Sequence, residues 1–466
     1  MFFECNIPDV APAYINPMSK SRYNQMAAAI HKRTDKLNEA LDYCDMDPNT
    51  FAEYAAELFK THPSRFDQMD VADLVRYVNV VHDESYQAVP RLEWPNAIVL
   101  VDCRFLTTPE WEVLRVLGIG GSDASVVRQM NGHRSRWDLY MNKTMAPEKY
   151  INPLEKKQSQ VFFDRGHAME DRVIAAFCDA TGAVRIPEHR MFASKQYPHN
   201  TANIDAILRM PNNELVVFEA KTAVTERITA WSAERIPIEY VPQMRQYPSV
   251  LADERIKGTY IGVLFTYDYT VNGFFVGADS NVSEFRHRFI ARDEIAEQEH
   301  LQTNEEFFTG HVIAQNPPPF DCSPTAALES LTRYTGMGDS SVPDMELDED
   351  LRENVQSYLT LKKEQDTLNK RLKDLQLMLD AEKLAIVETM GEGEYASMPS
   401  DTPDMVYEVK YAHRQKVIVD AKKLEEYHPG AFHDCTSLSE WRQFSITEKD
   451  AQKVAKARAK AKKQKV

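Results

Sequence analysis

The fold is decided by the stretch Thr201-Ala-Asn-Ile-Asp-Ala-Ile-Leu-Arg-Met-Pro-Asn-Asn-Glu-Leu-Val-Val-Phe-Glu-Ala-Lys221, in which two apolar runs flank Pro211-Asn-Asn-Glu214. Proline and asparagine at these positions favour a turn between two paired strands. If the hairpin turns at Asn212, Asp205 lies opposite Glu219, because the two residues are equally far from it. The sequence therefore predicts a β-hairpin that brings two carboxylates together.

The second strand of this hairpin carries two charged side chains on one face. Side chains alternate along a strand, so Glu219 and Lys221 share a face, and Val216, Phe218 and Ala220 take the other. Two facing carboxylates repel each other unless a cation lies between them, and oxygen ligands suit Mg²⁺ or Mn²⁺. A lysine beside the metal can hold or polarise a water molecule. The pattern favours metal-assisted phosphodiester hydrolysis, although such residues also form ordinary solvated strand faces.

Length and composition predict a globular protein with several domains. The chain has 466 residues, of which 43% are hydrophobic and 10% aromatic, enough to fill a sizeable core. It contains no apolar run of about 18 residues and no secretory signal, so we expect no membrane span and a cytoplasmic location. The six cysteines include no Cys-x-x-Cys pair, which argues against a zinc site or an iron–sulfur cluster.

The charge of the chain is unevenly distributed. The net charge of −16 at first argues against a nucleic-acid partner. The segment Lys453–Lys465, however, is basic and contains no acidic residue. Such a segment is typical either of a solubilising tail or of a non-specific attraction to phosphate.

Composition and periodicity divide the sequence into several predicted segments. They are a mostly helical region at 1–100, an α/β domain at 101–312, a linker at 313–347, a coiled coil or helical hairpin at 348–394, a small α/β segment at 395–450 and a basic tail at 451–466. Apolar spacing predicts N-terminal helices at Ser19–Leu41, Pro48–Lys60 and Asp70–His82. Alternating helical and strand patterns over residues 101–310 indicate an α/β (α+β) fold with a central mixed sheet flanked by helices.

An apolar stripe marks the segment 348–394. Leu361, Leu368 and Leu375 recur once per heptad, and Leu372, Leu379 and Ile386 recur in the companion phase. Either an intramolecular helix pair or a dimeric coiled coil would bury such a stripe. Beyond it, strands are predicted at 405–411 and 415–419, and a short helix at 420–427.

Two further polar residues are candidates to join the carboxylates of the hairpin. Glu170 lies one turn into an amphipathic helix, where it is either a third metal ligand or an ordinary first-turn acid favoured by the helix dipole. Gln243 lies in Tyr240-Val-Pro-Gln243, with Tyr247 one turn further on. The amide of Gln243 could orient a water molecule near a metal, or it could lie on a helix surface.

A glycine-rich turn and a basic patch are candidates for binding phosphate. Gly118-Ile-Gly-Gly-Ser-Asp-Ala-Ser125 opens a helix, where backbone NH groups and the Ser122 hydroxyl attract phosphate, and Arg115 precedes it. It is not a Walker loop, because no Gly-Lys-Ser/Thr follows. The patch is either a nucleic-acid groove or a solvated helix around a buried tryptophan. It comprises Arg134, Arg136, Trp137 and Lys143.

Taken in order, these residues resemble one family, the phage lambda exonuclease and YqaJ-type viral recombinases of the PD-(D/E)XK nuclease superfamily. The resemblance covers residues 105–280 and has several short motifs. They are Trp111-x3-Arg115-x6-Ser122, Gly166-x3-Glu170, Asp205, Glu219-Ala-Lys221 and Tyr240-x2-Gln243.

The resemblance implies a PD-(D/E)XK nuclease core, two divalent ions, and attack of metal-activated water on a DNA phosphodiester. Asp205 and Glu219 would be metal ligands, with Glu170 a further ligand. Lys221 would position or activate the nucleophile, and Gln243 would support the site.

Arg115 and Ser122 match positions that grip a 5′-terminal phosphate in lambda exonuclease, which implies 5′-to-3′ digestion of duplex DNA. The resemblance further implies a single-strand annealing partner, a homo-oligomer (a ring trimer in the lambda exonuclease-like case) and, if the chain is phage-encoded, a location in the host cytoplasm. It also allows a C-terminal helical extension.

The chain departs from the family pattern in one place. The family often has Pro-Asp-Gly where this sequence has Ile204-Asp-Ala206, which changes the local turn but keeps the carboxylate. Two other functions are open. One is a structure-specific or defence-type DNA endonuclease on the same core, and the other is a non-catalytic DNA-binding scaffold that uses the coiled coil and the basic tail.

Overall fold

The chain contains two compact units, residues 1–336 and 337–466. The structure, a computed structural model, describes residues 1–131, 134–145, 153–231, 235–266, 270–271, 274–275, 282–335, 346–399 and 406–413. The predicted strand at 415–419, the predicted helix at 420–427 and the basic tail lie outside the described residues.

The first unit is a mixture of helices and strands, as the sequence predicted. Its helices are α1 (Pro17–Asp42), α2 (Pro48–Thr61), α3 (Pro63–Gln68), α4 (Val71–Val81), α5 (Thr108–Leu114), α6 (Gly121–Val127), α7 (Arg136–Lys143), α8 (Pro153–Thr181), α9 (Val241–Leu251), α10 (Glu294–Phe307) and α11 (Pro324–Thr335). Its strands are β1 (Ala97–Asp102), β2 (Val184–Ile186), β3 (Arg190–Ser194), β4 (Thr201–Asn203), β5 (Ala206–Arg209), β6 (Leu215–Val224), β7 (Ile256–Thr266), β8 (Thr270–Val271), β9 (Phe274–Phe275) and β10 (Val282–Ala291).

The helices α1, α2 and α4 confirm the three helices predicted near the N-terminus. Asn16 caps α1 by accepting a hydrogen bond of 3.0 Å from the Met18 amide. Asp47 caps α2 by accepting a bond of 2.8 Å from the Thr50 amide. Such caps satisfy NH groups that have no partner within the helix, which fixes where each helix begins.

The N-terminal helices share a core with the segment that follows them. Phe3 stacks edge-on against Phe105 with 5.5 Å between the ring centroids. Arg33, which is buried, donates hydrogen bonds of 2.9 Å to Asp67 and 3.1 Å to Glu110. The predicted boundary near residue 100 therefore lies inside the first compact unit, because apolar and ionic contacts both cross it.

The strands form two larger sheets, with the orders β1-β3-β4 and β10-β7-β6-β5-β2. In the five-stranded sheet β6 and β7 are parallel, whereas the other neighbouring strands are antiparallel. This arrangement confirms the predicted mixed sheet. The parallel connection from β6 to β7 runs through α9, as expected for a crossover that must return to the same end of the sheet.

The five-stranded sheet is covered by a helix on each face. On one face, Phe177 of α8 packs against Phe218 of β6, with 4.8 Å between the ring centroids. On the other face, Val250 of α9 belongs to the same hydrophobic cluster as Val217 of β6. Because Val217 and Phe218 are adjacent, the alternation of side chains along β6 accounts for both layers.

Part of the predicted linker is a packed helix. In α11, Ser330 donates a hydrogen bond of 3.0 Å to Asp138 of α7. The Tyr334 ring lies 5.5 Å from the ring of Trp137. Proline, glycine and acidic residues around this segment predicted a linker at 313–347, and for residues 324–335 that prediction is wrong, because their polar and aromatic side chains bind α7.

The second unit contains α12 (Arg352–Met390), β11 (Tyr395–Pro399) and β12 (Val406–Lys410). The helix α12 is continuous over 39 residues and contains no buried residue. The helical-hairpin alternative is therefore wrong, and the coiled coil stays a prediction, since Leu361 and Leu372 are both exposed. None of the described helices is long and apolar enough to cross a membrane.

Candidate active site

The hairpin register brings Asp205 next to Glu219. Ala206 of β5 and Phe218 of β6 form the last pair of the register, and Asp205 and Glu219 are the residues directly beyond this pair on the two chains. In the turn, Asn213 has a φ of 66°, a left-handed conformation that asparagine adopts more readily than most residues. The geometry confirms the hairpin predicted from the sequence.

Glu219 accepts hydrogen bonds from three side chains. Lys221 Nζ donates to its Oε1, which confirms that the two residues share a strand face. Gln243 Nε2 donates to the same oxygen at 2.6 Å, and the Tyr247 hydroxyl donates to Oε2 at 2.6 Å. Because Glu219 is only 1% exposed, these donors replace the water that a buried carboxylate loses.

Asp205 is held close to the same strand. Its Oδ2 accepts a hydrogen bond of 2.9 Å from the Ala220 amide. Burial raises the pKa of Asp205 well above its usual range, and repulsion from Glu219 and Glu170 raises it further, whereas Lys221 lowers it. The three carboxylates and the lysine predicted from the sequence therefore act on one another electrostatically.

Lys221 and Tyr247 are both protonated and therefore both donate hydrogen bonds to Glu219. Burial by itself would lower the pKa of Lys221, but the charges of Glu219 and Asp205 outweigh burial and raise it. Burial raises the pKa of Tyr247 well above its usual range, and the two carboxylates add to the rise. Lys221 is thus an ammonium and Tyr247 a neutral phenol at neutral pH. The Tyr240 ring lies 5.7 Å from the ammonium.

The carboxylates suit a divalent cation by their chemistry. Carboxylate oxygens are the ligands that Mg²⁺ and Mn²⁺ prefer, and a cation between Asp205 and Glu219 would relieve the repulsion that raises the pKa of Asp205. Within the described part of the chain, no three His, Cys, Asp or Glu side chains form a ready-made metal cage. Ligation by Glu170, like that by the other two acids, therefore stays a prediction.

The glycine-rich turn lies against this cluster. Its Ile119 carbonyl accepts a hydrogen bond of 2.9 Å from the Thr201 amide, which joins the turn to the start of β4. A Cβ atom on Gly121 would lie 2.9 Å from the Tyr247 hydroxyl oxygen, closer than packing allows. Glycine at this position therefore lets the start of α6, with the exposed Ser122, approach the residues that hold Glu219.

Asp123, next to Ser122, organises the predicted phosphate-binding residues. It pairs with Arg134 at 3.1 Å, with Lys143 at 2.6 Å and with Arg115 at 3.7 Å. Arg115 also donates a hydrogen bond of 2.9 Å to the Ser122 hydroxyl. Four of the five residues predicted to contact DNA or its 5′-phosphate are thus brought together around one buried carboxylate.

The electrostatics of this cluster leave it positively charged. Burial by itself would raise the pKa of Asp123, but Lys143, Arg115 and Arg134 outweigh burial and hold it well below its usual range. Burial lowers the pKa of Lys143 to about 8, although Asp123 opposes this change. One carboxylate among three cations leaves an excess of positive charge near the Ser122 hydroxyl.

Arg136 and Lys143 both bind partners within the protein, and their contact with DNA stays a prediction. Arg136 donates a hydrogen bond of 2.6 Å to Asp321, outside the cluster. Lys143 is 3% exposed and donates to the Arg115 carbonyl at 2.6 Å, so it supports the cluster from inside. Trp137, predicted to line a groove or to be buried, packs 5.1 Å from the Phe320 ring, because the segment before α11 covers it.

Sequence reasoning missed the roles of Asp123 and Tyr247. Asp123 is an ordinary helix-start acid in the sequence, and only the packing of α7 beside α6 shows that it collects three cations. Tyr247 had one usable signal, its position one helical turn after Gln243, which places both side chains on one face of α9.

Comparisons with known proteins found one similar domain family, one similar sequence and two similar structures among their matches. Residues 110–251 match the YqaJ-like viral recombinase domain family. Over 353 residues the chain is 25% identical to the uncharacterized protein YqaJ of Bacillus subtilis (strain 168), covering 76% of this chain and 98% of that protein. Two similar crystal structures are those of LHK-Exo in complex with dAMP and of LHK-Exo, an alkaline exonuclease from Laribacter hongkongensis, which are 16% and 17% identical to this chain. Each covers 45% of this chain and 94% of the other, with a TM-score of 0.32.

The fold and the site together define a class of protein with a mixed α/β fold and a central mixed sheet. In this sheet, one hairpin carries a carboxylate–lysine pair. The matched domain lies between α5 and the end of α9 and includes every residue of the candidate site. Residues 110–251 are similar to the YqaJ-like viral recombinase domain, which confirms the resemblance found in the sequence.

Proposed function

We propose that this chain is a metal-dependent deoxyribonuclease of the phage recombination type, which digests duplex DNA from a 5′ end. The observation that carries the proposal is the register that brings Asp205 next to Glu219, with Lys221 on the same strand face. The repulsion between the two carboxylates is what a bound cation would neutralise. The name of the alkaline exonuclease among the similar structures agrees with this activity.

Each residue of the site has a proposed role. Asp205, Glu219 and Glu170 would hold one or two ions of Mg²⁺ or Mn²⁺, which supply Lewis-acid stabilisation of charge on the phosphate when bound. Lys221 orients the attacking water through its ammonium. Gln243 and Tyr247 hold the Glu219 carboxylate in one orientation by their hydrogen bonds at its two oxygens.

The cluster around Asp123 favours a DNA end over an internal position. Three cations and one carboxylate leave a net charge of two positive units. A terminal phosphate monoester carries about −1.5 to −2 near pH 7, whereas each backbone phosphodiester carries a single negative charge. Arg115 and Ser122, both accessible, would contact the 5′-phosphate, and Arg134 would add to the field.

The resemblance to the family also suggests a substrate, a partner, an oligomeric state and a location. Duplex DNA is the proposed substrate, and a single-strand annealing protein is the proposed partner for the strand that digestion exposes. A homo-oligomer, of which a ring trimer is one form, would keep such an enzyme on its DNA. A cytoplasmic location is proposed with them.

A nuclease assay tests the proposal with three substrates, namely linear duplex with a 5′-phosphate, linear duplex with a 5′-hydroxyl and closed circular duplex. Each is incubated with Mg²⁺ or with EDTA. We expect rapid digestion of the 5′-phosphorylated duplex, dependence on Mg²⁺, and no cutting of the circle. Equal cutting of the circle would instead support the endonuclease alternative.

Variants assign the activity to the site. Lys221→Ala and Glu219→Gln are expected to lower the rate by about 100-fold or more, the size of effect that one positioned catalytic group provides. Lys257→Ala, a change of the same kind on an exposed lysine of β7, is the control. Full activity of Lys221→Ala with Mg²⁺ would contradict the proposal, whereas DNA binding without cleavage by the unaltered chain would favour the scaffold alternative.

A further inference from the structure

Most arginines that are buried or half-buried in the first unit are paired with a carboxylate. Examples are Arg33–Asp67, Arg104–Asp102, Arg136–Asp321, Arg190–Glu188 and Arg292–Glu297. Such pairing is expected, because a guanidinium removed from water needs a countercharge and the chain has a net charge of −16. Arg128 and Arg245 are half-buried exceptions: within the described chain, neither forms an ion pair.

The acceptors that hold Arg128 within the described ranges are all neutral. It lies at the end of α6 and donates hydrogen bonds of 3.2 Å to the Ala124 carbonyl and 2.9 Å to Asn304 Oδ1. A third bond, of 3.0 Å, reaches the His300 carbonyl on α10. These acceptors fix the direction of the guanidinium but do not cancel its charge.

Arg245 lies on α9 next to Gln246, which contacts the same two residues of α10 as Arg128 does, His300 and Asn304. The neighbouring Gln246 accepts a hydrogen bond of 2.9 Å from Asn304, and its Oε1 lies 2.6 Å from His300 Nε2, which ties α9 to α10. Burial lowers the pKa of Arg128 to about 10, and the charge of Arg245 lowers it further. Arg128 and Arg245 thus lie on two neighbouring helices, α6 and α9, where both helices meet α10 at His300 and Asn304.

We propose that Arg128 and Arg245 form a second phosphate-binding site, which takes a backbone phosphodiester of the DNA. The proposal rests on the proposed function for its ligand, because DNA is the phosphate polymer that the neighbouring site would act on. An anion bound between the two guanidiniums would supply the countercharge that the protein omits. Arginine suits this task, since its planar donors match phosphate oxygens and its charge persists when partly desolvated.

The position of the site fits a strand that passes the candidate active site. Ser122 and Arg128 lie at the two ends of α6, and a helix rises about 1.5 Å per residue, so they are separated by about 9 Å. A DNA strand advances about 3.4 Å per nucleotide along the helix axis, so this distance corresponds to roughly two or three nucleotides. Arg245 shares α9 with Gln243, which connects the second site to Glu219 through one rigid helix.

The variant Arg245→Glu tests the site with the least disturbance, because the Arg245 side chain makes no hydrogen bond to any residue that the structure describes. The new carboxylate would pair with Arg128 and cancel the site. The Lys221→Ala background prevents cleavage, and fluorescence anisotropy then measures the affinity for a labelled duplex at several salt concentrations. We expect Arg245→Glu to weaken binding about tenfold at low salt and to reduce the salt slope by about 0.9 for one lost phosphate contact.

Matched variants separate the site from general charge effects. Arg209→Glu makes the same charge change on an exposed arginine at the far end of β5, and we expect it to leave the salt slope unaltered. Arg245→Lys keeps the charge and should retain most of the affinity. Equal salt slopes for Arg245→Glu and Arg209→Glu would overturn the proposal.

A second arm distinguishes DNA from free phosphate. Inorganic phosphate is titrated into the unaltered chain and into Arg245→Glu while thermal unfolding is followed. Loss of phosphate-dependent stabilisation together with an unaltered DNA salt slope would overturn the assignment to DNA. Should the unaltered chain bind DNA without cutting it, the nuclease proposal fails, yet a lower salt slope for Arg245→Glu would still support the second phosphate site.

Discussion

Tyr247 donates a hydrogen bond of 2.6 Å to Glu219 and lies directly against Gly121. It therefore joins the strand that carries the carboxylates to the turn that carries Ser122. Gln243 donates to the Tyr247 oxygen at 2.8 Å and to Glu219 at 2.6 Å, which closes a triangle of hydrogen bonds around one buried acid. The carboxylate of Glu219 is held in position by α9 as well as by its own strand.

Replacing Tyr247 by phenylalanine removes one donor from Glu219 while keeping the ring. A hydrogen bond to a charged group contributes about 1.5–3 kcal/mol. We therefore expect either a lower kcat or a higher Mg²⁺ concentration for half-maximal activity, in each case by about 10- to 100-fold. KM for DNA should change little, because Tyr247 is buried. Tyr197→Phe, which alters an exposed tyrosine hydroxyl bonded to Gln298, is the control. An unaltered metal titration and kcat would argue against this role.

Asp123→Asn should destabilise the fold and weaken end recognition together. The change leaves Lys143 buried without its carboxylate, and breaking a buried ion pair costs about 3–5 kcal/mol. Urea unfolding measures the loss, and the ratio of rates on 5′-phosphorylated and 5′-hydroxyl duplexes measures recognition. In the double variant Asp123→Asn/Lys143→Met we expect part of the stability to return, since no unpaired charge is then buried. Additive losses in the double variant would show that the two charges are not coupled.

Stability should fall as the pH drops below about 6.5 because of His300. Burial lowers the pKa of its imidazole well below the usual value, and the charges of Arg128 and Arg245 lower it further. Between the two pKa values the unfolded chain binds a proton that the folded chain does not, so the free energy of unfolding rises with pH across this window. The slope from one such group is up to about 1.4 kcal/mol per pH unit.

The variant His300→Gln assigns this pH dependence to one group. Urea unfolding between pH 5 and pH 7 should show a smaller slope for it than for the unaltered chain, because glutamine does not titrate. His62→Gln, on an exposed histidine at the end of α2, should leave the slope as it is. An identical slope in all three proteins would show that His300 does not contribute.

Truncation tests whether α11 belongs to the first unit. A chain ending at residue 345 keeps α11, and we expect it to unfold at the same temperature as the first unit of the full chain. A chain ending at residue 322 loses the contacts of Tyr334 and Ser330 with α7, which we expect to lower stability by about 2 kcal/mol or more and to shift Trp137 fluorescence to longer wavelength. Equal melting temperatures for the two fragments would refute the assignment of α11.

Local sequence patterns were enough to predict the hairpin and the charged residues that it brings together. Turn residues at 211–214 and the alternation along β6 depend only on local backbone preferences, so Asp205, Glu219 and Lys221 could be placed from spacing alone. The helices of the N-terminal region followed from apolar periodicity for the same reason.

Tertiary structure alone decided which charges meet across elements distant in the sequence. Asp123 collects Lys143 and Arg134 because α7 packs beside α6, and Arg136 pairs with Asp321, which lies far along the chain. The helix α11 was missed although Pro324 begins it and Ser323 caps it, because the surrounding proline, glycine and acidic residues gave the whole segment a linker-like composition. Burial and the pairing of charges are properties of the packed chain, and local sequence patterns carry little information about them.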